Sequence, residues 1–167
     1  MSAPPYRILP ISPAHIDGYR RTLDAVARER RYLAFLEAPS LEQTQDFVLR
    51  NIERGNPHLV AVAEESVIGW CDIVPLTHPG FAHTGVVGMG VHADWRGRGV
   101  GKALLRAGAG AARQAGLQRL ELEVYASNDA ACRLYEAHGF VREGLKRRGR
   151  CLDGAYEDIV IMARLLP

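Results

Sequence analysis

Cysteine, net charge and long apolar runs are all scarce in this sequence, and each shortage removes a class of explanation. The only cysteines are Cys71, Cys132 and Cys151. Their number is odd, their spacing is wide and there is no Cys-x-x-Cys, so neither a disulfide framework nor a zinc site is expected, and a reducing cytoplasm fits best. Lysine and arginine total 21 against 19 acidic residues, a net charge of +2. That is too mild for a nucleic-acid surface, which needs basic residues gathered on one face. One run is locally basic, Lys146, Arg147, Arg148 and Arg150, and reads as a solvated strand end. No apolar stretch is long enough to span a bilayer. The N-terminus has no charged segment followed by an apolar run, so no signal peptide is expected. The six histidines form no pair at helical metal-ligand spacing, and no metal is expected.

What remains is a chain of 167 residues, 47% hydrophobic and 24% charged, a size and composition suited to one globular domain over residues 1–167. Tyr6 to Ile11 reads as a first strand. Ser12-Pro13 then opens a helix with Ile16, Tyr19, Leu23 and Val26 at helical spacing. A second helix starts at Ser40, where Gln43 completes a capping box. Phe47, Val48 and Ile52 form its apolar face, and Gly55 and Pro57 end it. His58–Glu64 and Val67–Val74 are strands around a Glu65-Ser66 turn. His83–His92 is a third run, rich in glycine at Gly85, Gly88 and Gly90, which suggests a bulge or a close backbone approach by something else. A glycine-rich turn leads to a helix from Gly99 to Ala115. Leu120–Tyr125 is a strand, Ser127-Asn128 opens a short helix to His138, and Phe140–Lys146 and Tyr156–Leu165 are the last strands. The order predicts a mixed α/β domain.

The turn between the third run and its helix carries the most chemistry. It reads Asp94-Trp95-Arg96-Gly97-Arg98-Gly99-Val100-Gly101-Lys102. A helix start presents unpaired N–H groups and partial positive charge. Glycines remove the side chains that would hold an anion away, so the segment is an anion site to which Arg96, Arg98 and Lys102 add charge-assisted contacts. It is not a Walker loop, because Lys102 is followed by Ala103 and no hydroxyl stands ready for magnesium. A dinucleotide fold needs Gly-x-Gly-x-x-Gly, whereas here Gly97, Gly99 and Gly101 alternate. A flexible turn with arginines by chance is the bland alternative.

Arg96-x-x-Gly99-x-Gly101 resembles the coenzyme A signature of the Gcn5-related N-acetyltransferase (GNAT) superfamily, with Ala93 where many members have proline. Asn128-Asp129-Ala130-Ala131-Cys132-Arg133-Leu134-Tyr135-Glu136-Ala137-His138-Gly139-Phe140 resembles the family's Asn-x-x-Ala-x-x-Leu-Tyr-x-x-x-Gly-Phe helix, and the order of elements agrees over nearly the whole chain. The resemblance implies a mixed, mostly antiparallel sheet of about seven strands with about four helices, splayed between the fourth and fifth strands. It implies acetyl-coenzyme A as co-substrate, its pyrophosphate on residues 96–102. Its pantetheine arm would pair with a bulged strand near Met89, Gly90 and Val91 and touch Asn128 and Ala131. A homodimer is implied as well.

Amide formation from a thioester requires a neutral amine. For a lysine-like amine, neutralisation at pH 7 costs about 4–5 kcal/mol; for an α-amino group, about 1 kcal/mol. The leaving thiolate gains from an acid. By resemblance Tyr135 is that acid; on its own it reads first as a core aromatic on an amphipathic helix. Alternation along Leu120-Glu121-Leu122-Glu123-Val124 puts both glutamates on one face. Leu-Glu-Val before the Asn128 helix resembles the ribosomal-protein acetyltransferase branch, whose matching glutamate is the base, which makes Glu123 the candidate base. A solvated acidic face is the alternative reading, Asp72 is an alternative carboxylate and a water relay a third route. Asn128 reads as a helix cap and Cys132 as a small packing residue. For the acceptor the resemblance points to Arg28, Glu29, Arg30, Arg31 and Tyr32, and to Arg147, Arg148, Arg150, Asp153, Tyr156 and Asp158. The ending looks like the branch acting on amino acids, small amines and protein N-termini. Arginines that hold a carboxylate bidentately make a small molecule such as an amino acid the first expectation, with a protein N-terminus or lysine, or a non-catalytic acetyl-coenzyme A sensor, as alternatives.

Overall fold

The computed structural model describes residues 5–167. A seven-stranded sheet in the order β1-β2-β3-β4-β5-β7-β6 forms its centre. The strands are β1 (Arg7–Pro10), β2 (His58–Ala63), β3 (Ser66–Pro75), β4 (Thr84–Val91), β5 (Arg119–Tyr125), β6 (Val141–Leu152) and β7 (Ala155–Leu165). The helices are α1 (Ile16–Arg28), α2 (Leu41–Arg54), α3 (Val100–Gln114) and α4 (Asp129–Ala137). Among the described residues, only β4 and β5 pair in parallel. This is the mixed, mostly antiparallel α/β architecture that the resemblance implies.

Local chemistry accounts for most of the boundaries; three of them, and the buried face of α2, differ from the sequence expectation. Ser40 caps α2 as expected: its Oγ accepts from the Gln43 N–H and its own N–H donates to Gln43 Oε1, both at 3.1 Å. Gly55 ends that helix at φ 66°. Helix α1 starts later than Pro13, because Pro13–His15 forms a 3-10 turn in which the Ser12 N–H donates to His15 Nδ1 at 3.0 Å. On α2 the expected Ile52 is 42% exposed. The buried positions are Thr44, Val48 and Asn51, since the Asn51 amide meets His58 Nδ1 at 3.2 Å and so turns that face inward. The β2–β3 turn falls one residue early, on Glu64 and Glu65 at φ 46° and 67°, the left-handed pair a two-residue hairpin requires. Strand β6 runs on to Leu152, so residues after Lys146 that read as loop are strand. They turn back at Asp153 and Gly154, φ 51° and 78°, with a register shift between Lys146 and Arg150.

The sheet is covered on both faces, as strand alternation requires. Helices α3 and α4 pack with Cys71, Ile73, Val87, Leu120, Leu122 and Val124. Helices α1 and α2 pack with Val60, Val62, Val67 and Trp70.

Candidate active site

The sheet opens at the parallel junction of β4 and β5. Strands β4 and β5 pair at Thr84↔Arg119, Gly85↔Leu120 and Val86↔Glu121 and no further. Residues 87–91 of β4 and 122–125 of β5 therefore diverge, leaving about 13–16 Å of unpaired β4 edge at the rise of an extended strand. This is the expected splay. The expected bulge in β4 is not there: its pairing with β3 is unbroken from Gly69↔Val91 to Pro75↔Gly85, so the gap comes from the divergence of β5. The β4 glycines also have an internal cause. A Cβ on Gly85 would meet Ile73 and Leu117, one on Gly88 would lie 3.1 Å from both Asp72 carboxylate oxygens, and one on Gly90 would run into the Trp70 indole.

At the end of β4 the backbone forms the cradle. Gly97 and Gly99 take φ 71° and 81°, a region that disfavours any side chain, and α3 starts at Val100. Among the described residues, the N–H groups of residues 97–102 meet no acceptor. Several convergent donors at a helix start suit a pyrophosphate, so the residues present fit coenzyme A. Gly101 has a second use, since a Cβ there would lie 3.3 Å from Leu134 of α4.

The cationic side chains divide. Lys102 and Arg98 are exposed, with Arg98 over the Trp95 ring at 5.1 Å. Arg96 is already engaged. Its Nε donates to the Val91 carbonyl at 2.9 Å, its two terminal nitrogens to Glu29 at 2.8 and 2.5 Å, and its guanidinium covers the Tyr32 ring at 4.7 Å. Sequence reasoning missed this, because Glu29 is 67 residues away.

The two faces of the gap carry different chemistry. On the α3/α4 face, Tyr135 is buried in the core beside Phe140, ring centroids 5.6 Å apart. Burial, with Cys71 and Cys132 nearby, pushes its phenol above the usual range, so it is protonated at neutral pH. Cys132 is buried, as a packing residue should be. Asn128 caps α4, its Oδ1 accepting from the Ala131 N–H at 3.2 Å. Met89 and Val91 pack against the same core.

The α1/α2 face carries the carboxylates. Glu123 lies there because Leu122 and Val124 face the other way. It is exposed and ion-paired with Lys146. Asp72 lies one strand beyond β4, directly opposite Gly88, and is only 9% exposed. Burial raises its carboxyl from 3.8 to about 7. Its β2 neighbour His58 is lowered by burial from 6.5 to about 4, and its Nε2 has no partner among the described residues.

The segment between α1 and α2 bridges this face. Glu29 ties it to the cradle through Arg96. Arg30 pairs with Asp153 at 2.6 Å, and Arg150 donates to the Arg30 carbonyl at 2.6 Å, stacks on Tyr125 at 4.4 Å and pairs with Glu157 at 3.2 Å. Arg28 is held by Asp24 and Glu37. Among the described residues, Arg31, Arg147 and Arg148 have no carboxylate within ion-pair distance.

Known proteins agree with this geometry. The sequence pattern of the Acetyltransferase (GNAT) family matches residues 22–140, a stretch that contains both the cradle and α4. The chain belongs to that family. It is 31% identical over 112 residues to the L-amino acid N-acetyltransferase AaaT of Escherichia coli (strain K12), covering 66% of this chain and 69% of that one. It is 38% identical over 109 residues to the N-alpha-acetyltransferase RimI of Mycobacterium tuberculosis, covering 63% and 66%. In fold it matches yncA, a putative acetyltransferase from Salmonella typhimurium solved with its cofactor acetyl-CoA, at a TM-score of 0.91 and 19% identity, covering 98% of this chain and 95% of that one. The protein is accordingly an acyltransferase that uses acetyl-coenzyme A to acetylate an amine. Among the described residues, no helix is long and apolar enough to cross a membrane, and no group of three or more His, Cys, Asp or Glu side chains is placed to hold a metal.

Proposed function

We propose that the acceptor is the primary amine of a small molecule that also carries a carboxylate, an amino acid before others. The observation behind this is the set of unpaired arginines, Arg31, Arg147 and Arg148, on the two segments that flank the gap on its α1/α2 face. A guanidinium without a carboxylate partner, such as Arg148 over the Tyr156 ring at 5.0 Å, suits a substrate carboxylate. The likeness to an L-amino acid N-acetyltransferase supports the same class.

In this reading the pyrophosphate sits on the free N–H groups of residues 97–102, with Lys102 and Arg98 beside it. The pantetheine arm lies along the unpaired edge of β4 past Met89, Gly90 and Val91, near Asn128 and Ala131. The amine enters from the opposite face, where Glu123 meets its ammonium and a carboxylate of that face takes the ammonium proton. The amine nitrogen bonds to the thioester carbonyl carbon and the C–S bond breaks. Tyr135 donates its phenolic proton to the departing sulfur, and the second amine proton restores the phenol. The proton on the carboxylate leaves to solvent. The protein is placed in the cytoplasm, in keeping with its three unpaired cysteines. We propose a homodimer along β6, an outer strand that exposes Val141 and Leu145; light scattering at micromolar concentration checks it.

The deciding experiment measures thiol release from acetyl-coenzyme A with amino acids, amines lacking a carboxylate, peptides with free N-termini and lysine peptides. Amino acids should lead, and Arg148→Ala or Arg31→Ala should raise their KM with little change in kcat. Turnover confined to peptides would move the acceptor to protein N-termini, the activity named for the mycobacterial relative. Binding of acetyl-coenzyme A without turnover of any amine would make the protein a sensor.

A further inference from the structure

We propose that Asp72 is a second catalytic carboxyl of the site, the group that accepts the amine proton inside the gap, while Glu123 meets the incoming ammonium at its mouth. The inference rests on the N-acetyltransferase reading and deepens it.

Four observations place Asp72 there. First, register sets His58, Asp72 and Gly88 in one row across β2, β3 and β4, on the same face because directly paired residues share a face. Trp70, on that face of β3, packs with α1 and α2. Second, the carboxylate lies over Gly88, where a Cβ would sit 3.1 Å from each of its oxygens. Gly88 is the second residue beyond the last β4–β5 pair, Val86↔Glu121, so the missing side chain leaves the carboxylate facing the open edge of the strand. Third, among the described residues no side chain of another residue pairs with Asp72, although it is only 9% exposed; the hydrogen bond its carboxyl receives comes from its own backbone. A buried carboxyl without a charged partner is expensive to keep and is characteristic of catalytic positions. Fourth, Tyr135 stands on the opposite face close to Cys71, whose partner on β4 is Met89. The candidate acid and Asp72 therefore flank adjacent rows of β4 from its two sides.

The groups around Asp72 suit it for holding a proton. Tyr19 from α1 is neutral, pushed upward by burial and by Asp72 itself. His58 from β2 is held neutral by burial. On its own strand, Cys71 is pushed upward by burial. Strand β4 offers only Val87, Gly88 and Met89 there. Among the described residues no cation pairs with this carboxylate, whereas Glu123 is ion-paired with Lys146. The transfer is balanced: the N–H bond of the ammonium breaks, an O–H bond forms on Asp72, and the proton is released to solvent after the amide has formed.

The test compares Asp72→Asn and Glu123→Gln with the wild type, on whichever amine the wild type acetylates fastest, reading kcat, KM and their pH dependence. Asp72→Asn should lower kcat by about a hundredfold, the scale of general-base catalysis, abolish the acidic limb of the kcat profile and leave acetyl-coenzyme A affinity within about twofold. Glu123→Gln should act mainly through the KM of the amine. Asp72→Ala supplies a readout that a structural role would not move: added formate should restore part of the lost kcat. A kcat for Asp72→Asn within twofold of wild type with the acidic limb intact overturns the assignment and leaves N-acetylation standing. So does a folded Asp72→Ala that is slow and indifferent to formate. A wild type that acetylates no amine removes both readings together. If Asp72→Asn does not fold, the formate experiment on Asp72→Ala decides.

Discussion

Asp72→Asn also makes a prediction about stability that does not depend on any substrate. In the folded protein burial holds the carboxyl near pH 7 instead of 3.8. A folded-state value raised in this way favours the protonated form. Its stabilising contribution is complete below pH 3.8 and is lost as the pH rises through about 7. Integrating the linkage, the wild type loses about 3–4 kcal/mol of folding stability from this one residue between pH 4 and pH 8. Asparagine has nearly the same shape and cannot ionise, so the variant escapes that loss. His58 has the opposite sign. Its folded-state value is lowered from 6.5 to about 4, so its contribution is present above pH 6.5 and fades as the pH falls through 4; this slope is largely common to both proteins. The measurement is thermal or denaturant unfolding of both proteins from pH 4 to pH 8. The variant should gain on the wild type steadily with pH, and by pH 8 the relative gain should reach roughly 10 °C in Tm for a chain of this size. Parallel Tm curves for the two proteins would refute a buried carboxyl without a charged partner at position 72, and with it the physical basis for its proton-holding role.

Three other substitutions probe separate parts of the structure. Tyr135→Phe should lower kcat by about tenfold or more while acetyl-coenzyme A still binds; near-normal turnover would leave Tyr135 only its packing against Phe140. Gly69→Ala would place a Cβ 2.9 Å from the Gly90 carbonyl oxygen and 3.1 Å from Leu104, backbone on one side and core on the other, and should cost about 1–3 kcal/mol in denaturant unfolding. Glu29→Gln releases the Arg96 clamp at one end. It should raise the KM of the amine several-fold and change the acetyl-coenzyme A Kd by less than about twofold. A large loss of cofactor affinity would show that the clamp serves the cradle.

What the sequence made legible follows from how local each signal is. The Ser40 box, the Gly55 stop and the α1 stripe are decided within a few residues, and the structure matches them. The same holds for the glycine turn and for the Asn128 cap. The splay could be named only through resemblance, because nothing in β5 itself announces where its pairing stops. The β4 glycines misled for a related reason. Their causes, Ile73, Asp72 and Trp70, lie on the neighbouring strand, and only the register shows which side chain lies over which glycine. The two last strands were legible, but not the run of β6 beyond Lys146 to Leu152, since a basic, outward-facing strand has no apolar alternation to mark it.

The Arg96 clamp shows how donor and acceptor binding are joined in this fold. In the sequence Arg96 belongs to the cradle and Glu29 to the acceptor region, and nothing connects them. In the structure the forked pair closes the distance, with Nε of the same guanidinium on the last residue of β4. Both groups are partly buried, with side-chain exposures of 34% and 27%, so the pair is less screened than a surface bridge. From Glu29 the chain passes to Arg30, whose side chain and carbonyl are held by Asp153 and Arg150 at the hairpin. One short segment thus links the end of the strand that would hold the pantetheine arm with the hairpin that would hold the acceptor. In the proposed reading, a shift of the cradle as a pyrophosphate settles on residues 97–102 would reach, through Arg96 and Glu29, the arginines proposed to hold the acceptor. A change in acceptor KM without a change in donor affinity is therefore the signature expected when that segment is cut loose.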